Sequence, residues 1–315
     1  MSAGAKKTTL PEGRMIPMFG YRPDGRRIKG MDPILQITPH LMPMRCDAQV
    51  FLEHKLDYEM LSRYIARKAV EGEKVTFMQI IVAAYVRGVS QHPEINRFIK
   101  NKQYFSRNNL SVAFTLLKDS QNHDSPESTV RIEFDPADTL LDVRDRMVAA
   151  VEANRGEENG GDVFIDKLAR FVISLPGLAT VIVGLVRLLD RYGLCPGAFL
   201  RELPFYSSMF ITNNASIGLH HVWHHIYNFG NVSAFFGMGS VLKEATVDSE
   251  GKVRMKRWLP IGVTVDERVT SGAHYAAFFA DVVRCLNHPE LLETPPESVR
   301  YDPGVEYHVP KLNKA

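Results

Sequence analysis

An acidic residue stands where a strand is expected to give way to a helix. In residues 260–292 an alternating apolar strand leads to Glu267, a turn follows at Ser271-Gly272, and an apolar helix then begins. A carboxylate at such a junction can take a proton from a bound nucleophile. The ordinary pKa of a glutamate is about 4.3, so Glu267 would be a poor base near neutral pH unless burial raised its pKa.

A second group of side chains that can carry protons lies upstream, in the segment GLHHVWHHIYNFG. An imidazole has an ordinary pKa of about 6.5 and suits proton transfer near neutral pH. The two pairs at a spacing of four residues also mimic a helical metal site, but no acidic third ligand is near, so no metal is expected. Local hydrogen bonding in a turn or an interface is the alternative role. The four residues are His220, His221, His224 and His225.

A hydroxyl group stands near the end of another predicted strand. The segment MFITNNASIG, residues 209–218, reads as a strand followed by a turn, with Thr212 close to the turn. A hydroxyl can stabilise an oxyanion, and loss of one such donor costs roughly a hundredfold or more in rate. The alternative is an ordinary β-branched strand residue, and the sequence leaves both interpretations open.

Taken in order, these segments resemble the catalytic domain of the acyltransferase subunits of 2-oxoacid dehydrogenase complexes. They also resemble chloramphenicol acetyltransferase, which shares the fold of that domain. The resemblance covers roughly residues 28–292 and is weakest in the middle. Its segments are HPEINRFI at 92–99, LSVAFTLLKD at 110–119, MFITNNASIG at 209–218, IYNFGNVSAFFGMG at 226–239 and PIGVTVDERVTSG from residue 260.

The resemblance implies an α/β fold, a chloramphenicol acetyltransferase-like two-layer sandwich in which a mixed β-sheet packs with helices. It also implies a homotrimer, with a higher assembly open, and an active site between subunits. Acyl-CoA is the expected acyl donor, which makes coenzyme A a substrate, and a small-molecule thiol, hydroxyl or amine is the expected acceptor. No lipoyl or peripheral-subunit-binding domain precedes the matching region, so this chain is not expected to form the ordinary core of a dehydrogenase complex by itself.

The same resemblance assigns roles to individual residues. Glu267 stands where the family has the histidine that acts as general base, and Thr212 aligns with the serine whose hydroxyl stabilises the oxyanion. Because the C-terminal motif of one subunit faces the neighbour in this family, His224 or His225 is a candidate partner for Glu267 in catalysis. The expected substrate-binding residues are Asn228, Ser271, His274 and Asn213.

The resemblance leaves more than one function open. The first is an acyltransferase in which Glu267, alone or with a histidine, activates the acceptor. The alternative is a catalytically inactive trimeric scaffold or regulatory homologue that keeps the fold and has lost the base. A third is a condensation-type enzyme of the same superfamily.

The composition is that of an ordinary globular protein. The chain has 315 residues, of which 45% are hydrophobic and 23% charged, and its net charge of +2 does not suggest a nucleic-acid partner. Its three cysteines are widely spaced and odd in number, which argues against a disulfide framework or a zinc site. With no apolar signal segment at the start of the sequence, a cytoplasmic location is expected.

Helices and strands that could position these residues follow from hydrophobic periodicity. Helices are predicted at residues 56–71, 77–90 with Thr76 as cap, 138–154 with Asp138 as cap, and 272–286. Turns are predicted at Asn108-Asn109, between two of the strands, and at residues 248–251, also between strands. The predicted strands are residues 104–105, 110–117, 129–134, 208–213, 232–241 and 254–265.

The predicted domain organisation has three parts and one insert. Residues 1–30 are predicted to form a flexible N-terminal arm, residues 31–292 the catalytic domain, and residues 293–315 a C-terminal tail. A helical insert at about 160–205 contains the apolar run 163–189, which Pro176-Gly177 interrupts. We interpret this run as a buried or groove-lining helical hairpin suited to an acyl chain or a covered channel. Contact with a membrane surface is the alternative, and a true membrane span is the least favoured.

Overall fold

The computed structural model describes residues 21–117, 127–156, 173–305, 307 and 309. Within them the chain forms a seven-stranded mixed sheet, a four-stranded sheet and seven α-helices. This confirms the predicted α/β fold with a mixed sheet. The strands are β1 (Tyr21–Arg22), β2 (Gly25–Arg27), β3 (Gln49–Asp57), β4 (Arg97–Lys100), β5 (Gln103–Arg107), β6 (Leu110–Leu117), β7 (Glu127–Phe134), β8 (Met209–Asn213), β9 (Ala234–Met238), β10 (Leu242–Val247) and β11 (Val253–Asp266).

The large sheet is built around β11, its longest strand. β3 pairs along one edge of β11, while β9 and β10 pair in turn along the other edge, all antiparallel. The sheet then continues from β9 to β8 and β6 through parallel pairs and ends with β7, which is antiparallel to β6. The end of β11, where Glu267 follows, is therefore held by strands on both sides.

The helices supply most of the hydrophobic core of the large sheet. α3 is buried nearly all round and begins with a reciprocal cap, in which Thr76 and Gln79 each bond the other's backbone N–H. It packs against α7 and α4, and the side chains of all three join one core cluster with the strands. The helices are α1 (Pro33–Leu41), α2 (Tyr58–Val70), α3 (Phe77–Gln91), α4 (Leu140–Gly156), α5 (Leu178–Arg191), α6 (Gly197–Glu202) and α7 (Gly272–Asn287).

The start of the described chain corrects part of the predicted flexible arm. β1 and β2 pair with each other, and β2 pairs with β5 of the small sheet. Pro and Gly residues favour turns in this stretch, which predicted an irregular chain. β1 and β2 can form because they are only two and three residues long and need few paired positions. The rest of the predicted arm, residues 1–20, lies outside the described residues.

The predicted turn at Asn108-Asn109 does not join a hairpin. β5 pairs with strands of the small sheet, whereas β6 pairs with β7 and β8 of the large sheet. The two asparagines hold this crossing: Asn108 Nδ2 donates to Pro23 O at 2.8 Å, and Asn109 Nδ2 donates to Glu133 Oε1 at 2.7 Å. The chain therefore passes from one sheet to the other at this point.

Two further predictions of local structure need correction. Thr139, rather than Asp138, caps α4, since Thr139 Oγ1 accepts from the Asp142 N–H at 3.2 Å. Asp138 instead accepts from the Asp135 N–H and binds Arg146, both at 2.8 Å. The predicted strand 232–241 is shorter in the structure, where it is β9 alone, and β10 follows it as a strand that was not predicted. The predicted turn at 248–251 joins β10 to β11.

The apolar insert is not buried within the single chain. Gly177, with a left-handed φ of 83°, precedes α5, which confirms the predicted break. Val181, Leu185 and Leu188 are 66%, 53% and 52% exposed, so the expectation of burial is wrong for this helix. The first part of the run, residues 163–172, lies outside the described residues. None of the helices in the described part of the chain is long and apolar enough to cross a membrane.

Candidate active site

Glu267 is an exposed residue between two buried charged residues. The Asp266 carboxylate accepts two hydrogen bonds from the Arg268 guanidinium, at 2.8 and 2.7 Å, and both side chains are buried. Tyr275 OH donates to the Asp266 backbone O at 2.8 Å, and the Glu267 N–H donates to Ala48 O at 2.9 Å. The backbone on each side of Glu267 is therefore fixed while its carboxylate meets solvent.

The Glu267 side chain lines a groove between α1, β3 and α7, which we call the apolar groove. It has a volume of about 570 Å³ and is lined mainly by hydrophobic side chains. Val50 and His54 of β3 both line it, and they lie opposite Val265 and Ile261 in the sheet. Four residues of strand span about 13 Å, so the groove is long enough for an extended chain.

His54 is a groove residue that the sequence analysis did not identify. Its ring lies 5.4 Å from the Phe279 ring, and its Nε2 is buried without a hydrogen-bond partner among the described residues. Burial lowers the pKa of His54 below its ordinary value, which favours the neutral imidazole. The alternation of Val50, Leu52, His54 and Leu56 was the available signal, because a strand places alternate residues on one face.

Ser271 and His274 form a pair at the start of α7. The Ser271 Oγ and His274 Nδ1 are 2.7 Å apart, and His274 Nε2 lies 3.7 Å from Glu94 Oε1. Ser271 lines the apolar groove together with Glu267. His274 is exposed and reaches the groove through its contact with Ser271.

Thr212 lies on the other face of the large sheet. Ile211 belongs to the main core beneath the helices, whereas Phe210 packs with Phe235 in a separate cluster. Since alternate residues share a face, Thr212 points to the Phe210 side. Its Oγ1 is buried and has no hydrogen-bond partner in the described part of the chain. This hydroxyl and the apolar groove are therefore separated by the sheet within one chain.

The histidine-rich segment crosses this outer face as an irregular chain. A Cβ atom at Gly237 or Gly262 would lie 2.6 or 2.4 Å from Val222 O, and one at Gly239 would lie 2.0 Å from His221 N. The three glycines thus allow the segment to lie directly on the strands. Trp223 Nε1 also donates to Leu52 O at 2.9 Å.

The four histidines do not form a helical metal site. Their segment has no helix, and no group of three or more metal-ligating side chains occurs among residues 21–117, 127–156 and 173–305. His221 Nε2 lies 3.8 Å from Glu53 Oε1. The His224 ring stacks on Phe235 at 4.1 Å, and burial lowers its pKa.

The chain by itself does not bring the predicted catalytic residues together. No histidine of the described residues lies within 4.0 Å of the Glu267 carboxylate. His224 and its neighbour His225 stack with each other on the outer face, with ring centroids 4.7 Å apart. Thr212 shares that face. A pairing of either histidine with Glu267 would need a second subunit.

The two predicted substrate-binding asparagines have different settings. Asn228 Oδ1 accepts from the Arg45 N–H at 2.7 Å, which ties the end of the histidine segment to the chain before β3. Asn213 is exposed at the end of β8, and its backbone O accepts from Ser216 Oγ at 2.7 Å. Asn228 therefore has a positioning contact, while the Asn213 side chain faces solvent.

A family model matches the part of the chain that holds most of these residues. Residues 206–294 match the model of the 2-oxoacid dehydrogenases acyltransferase (catalytic domain). The matched region includes Thr212, the histidine segment, Glu267 and Ser271. A search of curated protein sequences finds no match.

Solved structures with the same fold cover nearly the whole chain. The cubic core of the pyruvate dehydrogenase multienzyme complex aligns with a TM-score of 0.53 and 14% identity, over 90% of this chain and 99% of that one. Dihydrolipoamide acetyltransferase from Azotobacter vinelandii aligns with a TM-score of 0.52 and 15% identity, over 90% of this chain and 99% of that one. A probable dihydrolipoamide acetyltransferase from Listeria monocytogenes 4b F2365 aligns with a TM-score of 0.51 and 10% identity, over 84% of this chain and 95% of that one.

These similarities establish the fold, and the match of residues 206–294 to the family model adds a likeness in sequence over that region. The Azotobacter structure was determined to define the roles of a serine, a histidine and an asparagine in its catalytic mechanism.

Proposed function

We propose that the protein is an acyltransferase that moves an acyl group from a CoA thioester to an acceptor. The observation that carries this proposal is the position of Glu267, which lines the apolar groove while the backbone around it is fixed by buried contacts. An uncharged acyl or thioester arm suits such a groove. The family-model match over residues 206–294 supports the same reaction class.

The proposed reaction uses Glu267 as the general base. The acceptor's proton passes to the carboxylate while the acceptor atom attacks the thioester carbon. The resulting oxyanion accepts a hydrogen bond from the Thr212 hydroxyl, which has no other partner among the described residues. The C–S bond then breaks, the acyl group stays on the acceptor, and the CoA sulfur takes the proton from Glu267. The carboxylate is thereby restored.

A thiol is the acceptor that fits a glutamate base best. A thiol has an ordinary pKa of about 8.5, closer to the value of about 4.3 for glutamate than that of a hydroxyl or of an alkylammonium group such as that of lysine. A small pKa difference lowers the cost of the proton transfer. We therefore place thiols ahead of hydroxyls and amines among the possible acceptors.

The complete site in this proposal lies between two subunits. Glu267 lines the helix side of the large sheet and Thr212 faces the outer side, so one chain does not hold both beside one substrate. A trimer, in which the outer face of one subunit meets the groove of the next, would unite them. Sedimentation at several concentrations tests the assembly, and a stable monomer would contradict it.

The test of the proposed function is turnover of acyl-CoA with a thiol acceptor. The purified protein would be incubated with a panel of acyl-CoA species and a thiol acceptor, and the acylated acceptor would be measured directly. Glu267→Gln and Thr212→Ala should each lower turnover by about a hundredfold or more. Glu297→Gln, an exposed glutamate outside the groove, is the matched control and should keep wild-type turnover.

A non-catalytic scaffold is the second candidate. It is favoured by the exposure of Glu267 and by the lack of a histidine within 4.0 Å of its carboxylate among the described residues. No acyl transfer with any donor or acceptor, together with no binding of CoA by calorimetry, would favour the scaffold.

A further inference from the structure

A second groove lies on the other side of the α1 C-terminal end. Its volume is about 400 Å³, and we call it the basic groove. Adjacent residues face the two grooves: Met42 lines the apolar groove and Pro43 the basic groove, while Glu267 lines the apolar groove and Arg268 the basic one. The two grooves are therefore neighbours that share a thin wall of chain.

The basic groove carries a strong excess of positive charge. Asp190 is the one carboxylate among the described residues that line it. The cations that line it are Arg45, Lys100, Lys102, Arg187, Arg191 and Arg268. Such an excess in a concave site attracts an anion more strongly than the same charges spread over a surface.

Some of these cations are already neutralised and others are not. Arg268 binds the Asp266 carboxylate, and Lys100 binds Asp190. Lys102 and Arg187 are exposed, and no carboxylate of the described residues lies within 4.0 Å of either one. These two side chains are free to bind a ligand that enters the groove.

Lys100 is a largely buried cation of the basic groove. Its side chain is 16% exposed, and its Nζ donates to Gly230 O at 2.9 Å. Burial lowers the pKa of Lys100 to about 8, although Asp190 acts in the opposite direction. An anion bound above it would favour the charged ammonium.

The turn between β4 and β5 places Lys102 at the basic groove. Asn101 and Lys102 have left-handed φ angles of 49° and 59° between β4 and β5. Such angles are uncommon for residues other than glycine. Asn101 Oδ1 accepts from Arg191 Nε at 2.9 Å, which joins this turn to α5 of the insert. The insert thus supplies one wall of the basic groove.

We propose that the basic groove binds the phosphate groups of the acyl donor's nucleotide, while the uncharged thioester arm enters the apolar groove beside it. This rests on the proposed function, which makes CoA the donor. Phosphates offer several acceptor oxygens and multiple charge, which suits Lys and Arg donors. The insert helix α5 then has a role in donor binding through Arg187.

Calorimetry with the full-length chain tests the assignment. The probes are CoA, pantetheine, which lacks the nucleotide phosphates, and inorganic pyrophosphate. In the double variant Lys102→Gln/Arg187→Gln, loss of two charge-assisted contacts should weaken CoA binding by about tenfold or more. Pantetheine binding should not change. The control Arg63→Gln/Lys243→Gln removes two exposed charges outside the groove and should bind CoA as the wild type does.

The outcomes separate this inference from the proposed function. Unchanged CoA binding in the double variant overturns the inference and leaves the acyltransferase proposal standing. If the wild type binds pyrophosphate but not CoA, and the double variant loses pyrophosphate, the phosphate site stands and the CoA donor fails. If the wild type binds neither CoA nor pyrophosphate, the inference is wrong.

Discussion

The helix-covered face of the large sheet and its outer face carry different parts of the proposed site. On the helix-covered side, Glu267 lines a mostly apolar groove, and His54 Nε2 is buried there without a hydrogen-bond partner among the described residues. On the outer side, an irregular segment lies on glycines and leaves buried polar atoms without partners among the described residues. These atoms are Thr212 Oγ1, His221 Nδ1 and Thr264 Oγ1.

This difference indicates where a ligand or a second subunit could complete a reaction site. Buried polar groups are normally hydrogen-bonded, so atoms left open mark places where a ligand or another chain can bind. The helix-covered face holds the apolar groove with Glu267, the proposed base, and the outer face holds the Thr212 hydroxyl, the proposed oxyanion donor. Neither face alone holds the base, the groove and the hydroxyl donor that the proposed acyl transfer needs. The proposed function therefore depends on two faces from two subunits.

The largest loss of stability is expected from breaking the turn that holds Glu267 at the apolar groove. Asp266→Asn removes the charge that balances Arg268 and the nearby buried Arg45, whose Nε lies 3.8 Å from Asp266. Loss of one partner from a buried ion pair costs about 3–5 kcal/mol, because the other charge stays buried and unpaired. Denaturant unfolding measures this loss. A change below about 1 kcal/mol would show that the pair does not hold the turn at Glu267.

A smaller effect should break the outer face. Gly239→Ala places a Cβ 2.0 Å from His221 N, so the histidine segment must move away from the strands. Overpacking of this kind costs about 1–3 kcal/mol. Gly184→Ala in α5 is the matched control, because its Cβ meets nothing within 4 Å. The control should be neutral or slightly stabilising in the same unfolding experiment, since alanine favours helix more than glycine does.

The acid sensitivity of the fold should come from both faces. Burial lowers the pKa of His54 in the groove and of His224 on the outer face below 6.5, the ordinary value. The unfolded chain then binds more protons than the fold, so stability present above pH 6.5 should fall as the pH drops through the lowered values. His54→Phe and His224→Phe should each flatten this fall in unfolding curves at pH 5 to 7, about the window in which histidine titrates. An unchanged pH slope in both variants would contradict the assignment.

Local patterns in the sequence predicted much of the fold and less of the site. The helices α3 and α7 and the strand β11 follow from strong periodicity. β3 was not predicted. The apolar positions from Leu56 onwards match a helix, and the strand that pairs with β3, β11, lies about two hundred residues further along the chain. Local patterns in the sequence do not report pairing over such a distance.

The division of the site between faces was also hidden from the sequence. β8 is apolar on both sides, so its alternation does not show which face Thr212 joins. His54 could have been found from the alternation in β3, once that strand was recognised. The close approach of the histidine segment to the sheet depends on Gly237, Gly239 and Gly262, whose role appears only when the strands are paired.

Complementation between two inactive variants tests the central claim most directly. Glu267→Gln and Thr212→Ala chains would be prepared separately, dissociated, mixed in equal amounts and reassembled. If each site takes Glu267 from one subunit and Thr212 from its neighbour, about a quarter of all sites regain both residues after random reassembly, and acyl transfer returns to about a quarter of the wild-type rate. Activity that stays at the level of the separate variants would contradict a site shared between subunits.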